Sequence, residues 1–136
     1  MAHFAILDET DKVLEVICIS NESMTNSDGI ESEEIGKNHI KKIMSRFYPD
    51  IKDSQIVQTS INNNIRKRYA GIGFSYDRIH DAFIQPKRYE SWIFDENTLE
   101  WIPPIPPPKD VQNYYWDEIN KKWEKNPPPL TDSEQN

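Results

Sequence analysis

Tyr76-Asp77-Arg78-Ile79-His80-Asp81-Ala82-Phe83 carries the pattern that organises this chain: an aromatic residue, an Asp, five spacers and a second aromatic. The frame returns as Phe94-Asp95 with Trp101 and as Trp116-Asp117 with Trp123, and in aliphatic form as Leu7-Asp8 with Leu14. An Asp at the first turn position accepts hydrogen bonds from main-chain N–H groups just beyond it and so nucleates a turn. The flanking rings can then meet across two strands, worth about 0.5–1 kcal/mol per pair beyond the area buried. Each frame therefore predicts a β-hairpin. The aromatic units start 18 and 22 residues apart. Between and after them lie Pro-bearing connectors: Gln85-Pro86-Lys87, residues 103–108, and Pro127-Pro128-Pro129. Proline cannot donate to a ladder, so the connectors keep one hairpin from merging with the next. Two-stranded hairpins are marginal in water alone, so the series needs a surface: each other, the N-terminal sheet or another subunit.

Upstream of the repeat the pattern is mixed. Phe4-Ala5-Ile6-Leu7 and Val13 to Ile19 are β-rich runs around an Asp-rich pentad, which predicts a first hairpin. Residues 20–31 read as a loop. From Ser32 the apolar residues Ile35, Ile40, Ile43, Met44 and Phe47 share one helical face. Ser32 is placed as N-cap, Glu33 and Glu34 suit the positive end, and Pro49 ends the helix. The spacing thus predicts a helix over 32–47 that covers one sheet face and is weakened by Gly36, with His39 at its boundary. Gln55 to Ile61 predicts a strand, Asn62-Asn63-Asn64 a turn, and Ile65 to Ile72 another strand. Gly71-Ile72-Gly73 lacks the third Gly and the strand-to-helix switch of a nucleotide cradle, so it predicts close backbone packing or a bulge.

The bulk composition narrows the function classes. Of 136 residues only 36% are apolar, the formal charge is −7, and 10 Pro stand against 4 Gly. The acidic balance argues against wrapping nucleic acid, which needs Lys and Arg at the phosphates. Arg66-Lys67-Arg68, the longest basic run, reads as a solvated strand face. The single Cys18 rules out an internal disulfide framework or a multi-cysteine zinc site and reads as a small buried hydrophobe. No apolar stretch is long enough to span a membrane, and Met1-Ala2-His3-Phe4 lacks a signal-peptide pattern, which predicts synthesis in a cytoplasm. The three His stand at no metal-ligand spacing, and no nucleophile elbow or phosphate loop is present. His80-Asp81 could pair as acid and base but falls in a predicted turn. No catalytic, cofactor-binding or metal-binding residue is assigned.

A resemblance runs through nearly the whole chain. Met1 to Glu9, Val16-Ile17 to Ser20-Asn21-Glu22 and Arg66 to Asp77 are similar to a family of small proteins of marine bacteriophages that infect cyanobacteria and related ocean bacteria. Asp81-Ala82-Phe83-Ile84, Pro86, Ser91-Trp92, Tyr115-Trp116-Asp117-Glu118 and Trp123 continue the likeness. The Pro-rich connector and the end from Thr131 to Asn136 are longer than the family's usual ending. The resemblance implies a virion structural protein and carries over no functional residues.

The expected fold is α+β: a small antiparallel sheet with one covering helix (1–73), serial aromatic hairpins with Pro-rich connectors (74–126), and a Pro-rich flexible tail (127–136). The expected function is non-enzymatic. The protein would dock on other virion proteins as capsid decoration or tail component, through Trp92, Trp101, Trp116, Trp123, Tyr76, Phe83 and Phe94. It would involve no nucleic acid and no membrane, and homo-oligomerisation, for instance through the helix face, stays open. The other reading is a receptor- or glycan-binding module at a tail-fibre tip, with the Trp residues stacking on a host surface sugar. Pro-rich ligand behaviour toward small adaptor domains is a minor third.

Overall fold

The computed structural model describes residues 1–128, in two compact units, Met1–Pro86 and the chain from Lys87 onward. The fold is α+β, with one α-helix and several small antiparallel sheets among the described residues. Part of the expected tail, from 129 to the end, lies outside the described residues.

The first unit is built on strand β1 (Ala2–Leu7), which lies between β2 (Val13–Ile19) and β3 (Ile56–Thr59), antiparallel to both. β1 is buried almost throughout because both of its faces are covered. On one face Ala2, Phe4 and Ile6 pack with Ile19, Met24, Ile40 and Ile56 beneath helix α1 (Glu33–Ile43). On the other, Ala5 and Leu7 pack with Val13, Val57, Ala70 and Phe83. Phe83 belongs to β5 (Ala82–Ile84), which pairs with β4 (Ser75–Asp77). The first aromatic hairpin is thus part of the N-terminal core, and the expected boundary at 73 moves to Pro86.

Helix α1 starts as its sequence dictates, with the Ile35 N–H donating to Ser32 Oγ. It ends at Ile43, four residues before the expected end at Phe47, and Phe47 is exposed. The buried stripe is therefore shorter than the periodicity suggested. Gly36 has a positive role. It is buried, and a Cβ there would fall inside contact distance of the Phe4 ring and 3.2 Å from Met24 Cβ. Gly36→Ala should gain about 1 kcal/mol of helix propensity and lose about 1–3 kcal/mol to overpacking against a ring that has nowhere to move. Chemical denaturation followed at 222 nm should show a net loss of stability.

Three expectations for this unit are corrected. Residues 65–72 form no strand: Arg66 and Lys67 both sit at positive φ, 50° and 72°. A ladder there has no place, because side chains occupy the outer edge of β3. The Gln58 N–H donates to Glu33 Oε1, its carbonyl accepts from Arg66, and the Ala70 N–H donates to Thr59 Oγ1. Leu7 pairs with Val13 rather than Leu14. In that loop the left-handed residue is Asp11, the third after Asp8, so the turn closes early and a bulge follows. Cys18 is exposed, not buried, with its Sγ 3.5 Å from His3 Nε2.

The second unit holds two hairpins, β6 (Ile93–Asp95) with β7 (Glu100–Ile102), and β8 (Tyr114–Asp117) with β9 (Lys122–Lys125). Among the described residues no helix is long and apolar enough to cross a membrane.

Candidate interaction site

The three aromatic hairpins share one construction. Tyr76 faces Phe83, Phe94 faces Trp101, and Trp116 faces Trp123, as the spacing requires. Ring centroids in the pairs are 5.3, 5.2 and 5.3 Å apart. The Asp at each turn start works as anticipated. Asp77 Oδ1 accepts from the N–H groups of Ile79 and His80, Asp95 Oδ1 from Asn97, and Asp117 Oδ1 from Asn120. The third residue beyond the Asp closes the loop through its own side chain: His80 Nδ1 lies 2.8 Å from Asp77 Oδ2, Thr98 Oγ1 donates to Asp95 Oδ2, and Asn120 Nδ2 to Asp117 Oδ2. The fourth (Asp81, Leu99, Lys121) takes positive φ and turns the chain back. The side-chain bond from Asn120 and the turn amides hold the Asp117 carboxyl below its ordinary range.

His80 therefore pairs with Asp77, not with its neighbour Asp81. Asp81 instead accepts from Arg66 Nε at 2.9 Å and from the Tyr76 hydroxyl. Arg66 also donates to the Gln58 carbonyl and to Glu33 Oε2, at 2.9 and 3.2 Å. One guanidinium thus joins the sheet edge, the first turn of α1 and the first aromatic hairpin. Burial opposes its charge, but Glu33 and Asp81 outweigh that, and its pKa is raised. Arg66 in the sequence looked like part of a solvated basic run. Its partners are up to 33 positions away, a separation that no local pattern signals.

In the second unit the aromatic residues gather. Trp92 lies edge-on to Trp116 at 6.1 Å and 6.5 Å from Trp123, and Tyr89 lies 5.3 Å from Trp92. Trp116 is 6% exposed. Glu118 pins this cluster. It accepts from the Ser91 N–H and hydroxyl, from Trp116 Nε1 at 2.8 Å, and from Lys121 Nζ. These bonds, Ser91's first, bring its carboxyl down to about 2. The connector over 103–108 is tied in as well, since Trp123 Nε1 donates to the Ile105 carbonyl at 2.9 Å. Trp92 Nε1 is buried with no hydrogen-bond partner among the described residues, a cost of about 1–3 kcal/mol.

A depressed carboxyl pKa stabilises the folded state above the ordinary Glu range, and that contribution is lost as pH falls toward the folded value. Acid should therefore loosen the Trp cluster between the ordinary Glu pKa of 4.5 and about 2. Tryptophan emission should shift red across that window. Glu118→Gln, which cannot ionise, should show a smaller pH-dependent shift there.

Of the residues expected to contact other molecules, Phe83 is fully buried in the first unit's core and is corrected to a structural role. Tyr76 is half-buried and engaged with Asp81. Trp92, Trp116 and Trp123 pack on one another, whereas Trp101 is half-buried against Phe94 with Lys87 Nζ 5.6 Å from its ring centre. The exposed apolar groups are elsewhere. Ile79 and Ile119, the second residue after the turn Asp in two hairpins, are each 91% exposed, and paired Ile93 and Ile102 are exposed on the middle hairpin. Separately, a cleft of about 280 Å³ in the first unit is lined by Leu14, Phe47, Tyr48 and Ile51 with Glu9 and Asp50. No group of three or more His, Cys, Asp or Glu among the described residues is placed to hold a metal ion.

The class defined by this geometry is a small α+β protein whose aromatic hairpins are locked by Asp turns. The chain matches no protein-family model, no curated protein and no solved structure.

Proposed function

We propose that this chain is a non-enzymatic accessory protein of a bacteriophage particle, docking on other virion proteins as capsid decoration or tail component. The observation that carries the reading is the pair of isoleucines at the hairpin tips, each 91% exposed. The turn does not need them: Asp77 and Asp117 make it with carboxylate oxygens. An isolated exposed apolar residue is ordinary, but the same repeat position used twice, on a tip fixed by hydrogen bonds, suits insertion into a pocket of a partner. The resemblance to marine phage proteins supports the same reading. The glycan-binding alternative asks for open indole faces, and three of the four Trp are turned to one another.

The test uses particles of the encoding phage. Ile79→Ser with Ile119→Ser should fold as the parent does, since neither side chain is buried, and should be depleted from purified particles by mass spectrometry. Undiminished incorporation of the double variant would remove the tips from the account. Oligosaccharide-dependent tryptophan quenching would favour the glycan reading.

A further inference from the structure

The two edges of the three-stranded sheet are treated differently. The β3 edge is closed at Gln58 by Glu33 and Arg66. Gln58 therefore points its main-chain groups away from β1. Main-chain groups alternate in direction along an antiparallel ladder, so the facing residue Phe4 directs its own pair toward Ile17 of β2. By the same alternation Glu15, Ile17 and Ile19 turn inward, and Val16 and Cys18 turn their N–H and C=O groups outward. The start of the β2 edge is covered, with the Val13 N–H donating to the Phe74 carbonyl at 2.7 Å and the Gly73 N–H to the Val13 carbonyl at 2.9 Å. Past the bulge, no hydrogen bond among the described residues reaches the outward groups of Val16 or Cys18.

Natural edges are usually blunted by Lys, Pro or an inward charge. Val16-Ile17-Cys18-Ile19 has none of these, and Cys18 is exposed.

We propose that β2 pairs with β2 of a second copy, antiparallel about a two-fold axis at Ile17, giving a continuous six-stranded sheet. About Ile17, Val16 faces the second copy's Cys18 and the reverse, so all four open main-chain groups on each strand find one another. Glu15 then faces an isoleucine. An axis at Glu15 would oppose two carboxylates, and one at Cys18 would leave Val16 facing Ser20. A two-fold interface of this kind is self-complementary, as the commonest oligomers are. The inference rests on the first unit alone and stands apart from the virion reading.

The test is sedimentation equilibrium of the full chain under reducing conditions, with a short bismaleimide as second readout. In the proposed register the two Cys18 are diagonal neighbours about 7–8 Å apart, with their Cβ atoms somewhat closer, and Cys18 is the chain's sole cysteine. The expected result is a rise from the 16.0 kDa monomer toward twice that mass with concentration, and a cross-linked dimer in native buffer that is absent in denaturant. Cys18→Lys, at an exposed position, should keep the circular dichroism spectrum and weaken the dimer by about tenfold or more, equivalent to about 1.4 kcal/mol. Monomer mass at every concentration overturns the proposal. So does a dimer that Cys18→Lys leaves intact.

Discussion

Phe83→Ala should cost the Met1–Pro86 unit about 3–5 kcal/mol, the largest single-residue effect expected in this protein. The ring is 0% exposed and fills the face of the sheet away from the helix, against Ala5, Leu7, Val13, Val57 and Ala70. Two of those neighbours are alanines, whose short side chains cannot collapse into the space left behind, so the cavity penalty should be near the top of the range. Small domains have about 5–15 kcal/mol in all, so the variant should be partly unfolded at 37 °C. Urea denaturation followed at 222 nm reports on this unit, which holds the only α-helix among the described residues. The counterpart Trp101→Ala, at a half-buried position on the middle hairpin, should cost markedly less. A Phe83→Ala loss below about 1 kcal/mol would mean that the first hairpin is not part of the core.

Arg66→Met should be the second largest, at about 2 kcal/mol. Removing one member of a fully buried ion pair costs about 3–5 kcal/mol, but these side chains are 19% (Arg66), 30% (Glu33) and 62% (Asp81) exposed, so water screens part of it. What remains is the stranding of the Gln58 carbonyl and the Glu33 carboxylate at the β3 edge. Arg66→Lys should not restore stability, because a single ammonium cannot reach three acceptors in three directions as the guanidinium fork does. Lys67→Met, at an exposed position next door, should stay within about 0.5 kcal/mol of the parent. Equal losses for the two substitutions would reduce Arg66 to a surface charge.

These two residues also mark what was legible in the sequence. The hairpins were, because an Asp at a fixed distance from two rings is a local device: turn, register and ring pair all follow within eight residues. The same frame failed at Leu7-Asp8, where the left-handed position falls one residue sooner, at Asp11. Helix α1 was legible in its cap and at Ile40 and Met44 of its inner face, but Ile43 is exposed and Phe47 keeps the helical spacing while lying outside the helix. What escaped were contacts made across the chain. Arg66 is read as solvated until Glu33, Gln58 and Asp81 are brought to it. Glu118, which fastens Ser91 to Trp116, had no spacing that singled it out. The division after Pro86 depends on which surface Phe83 enters, and the hairpin sequence alone does not say.

The repeat explains both the economy of the core and the exposed tips. Asp-anchored turns let short strands hold their shape with few aliphatic residues, which is how a chain with 36% apolar residues forms two compact units. The same turns leave the isoleucines at 79 and 119 exposed.

The most direct test of the proposed role is a cryo-electron reconstruction of an intact bacteriophage particle of the kind in which we propose this chain resides. The account predicts density for it on the capsid lattice or along the tail, with the Ile79 and Ile119 tips seated in neighbouring virion proteins. A particle without that density, or with it only at fibre tips and indole faces turned to solvent, would contradict it.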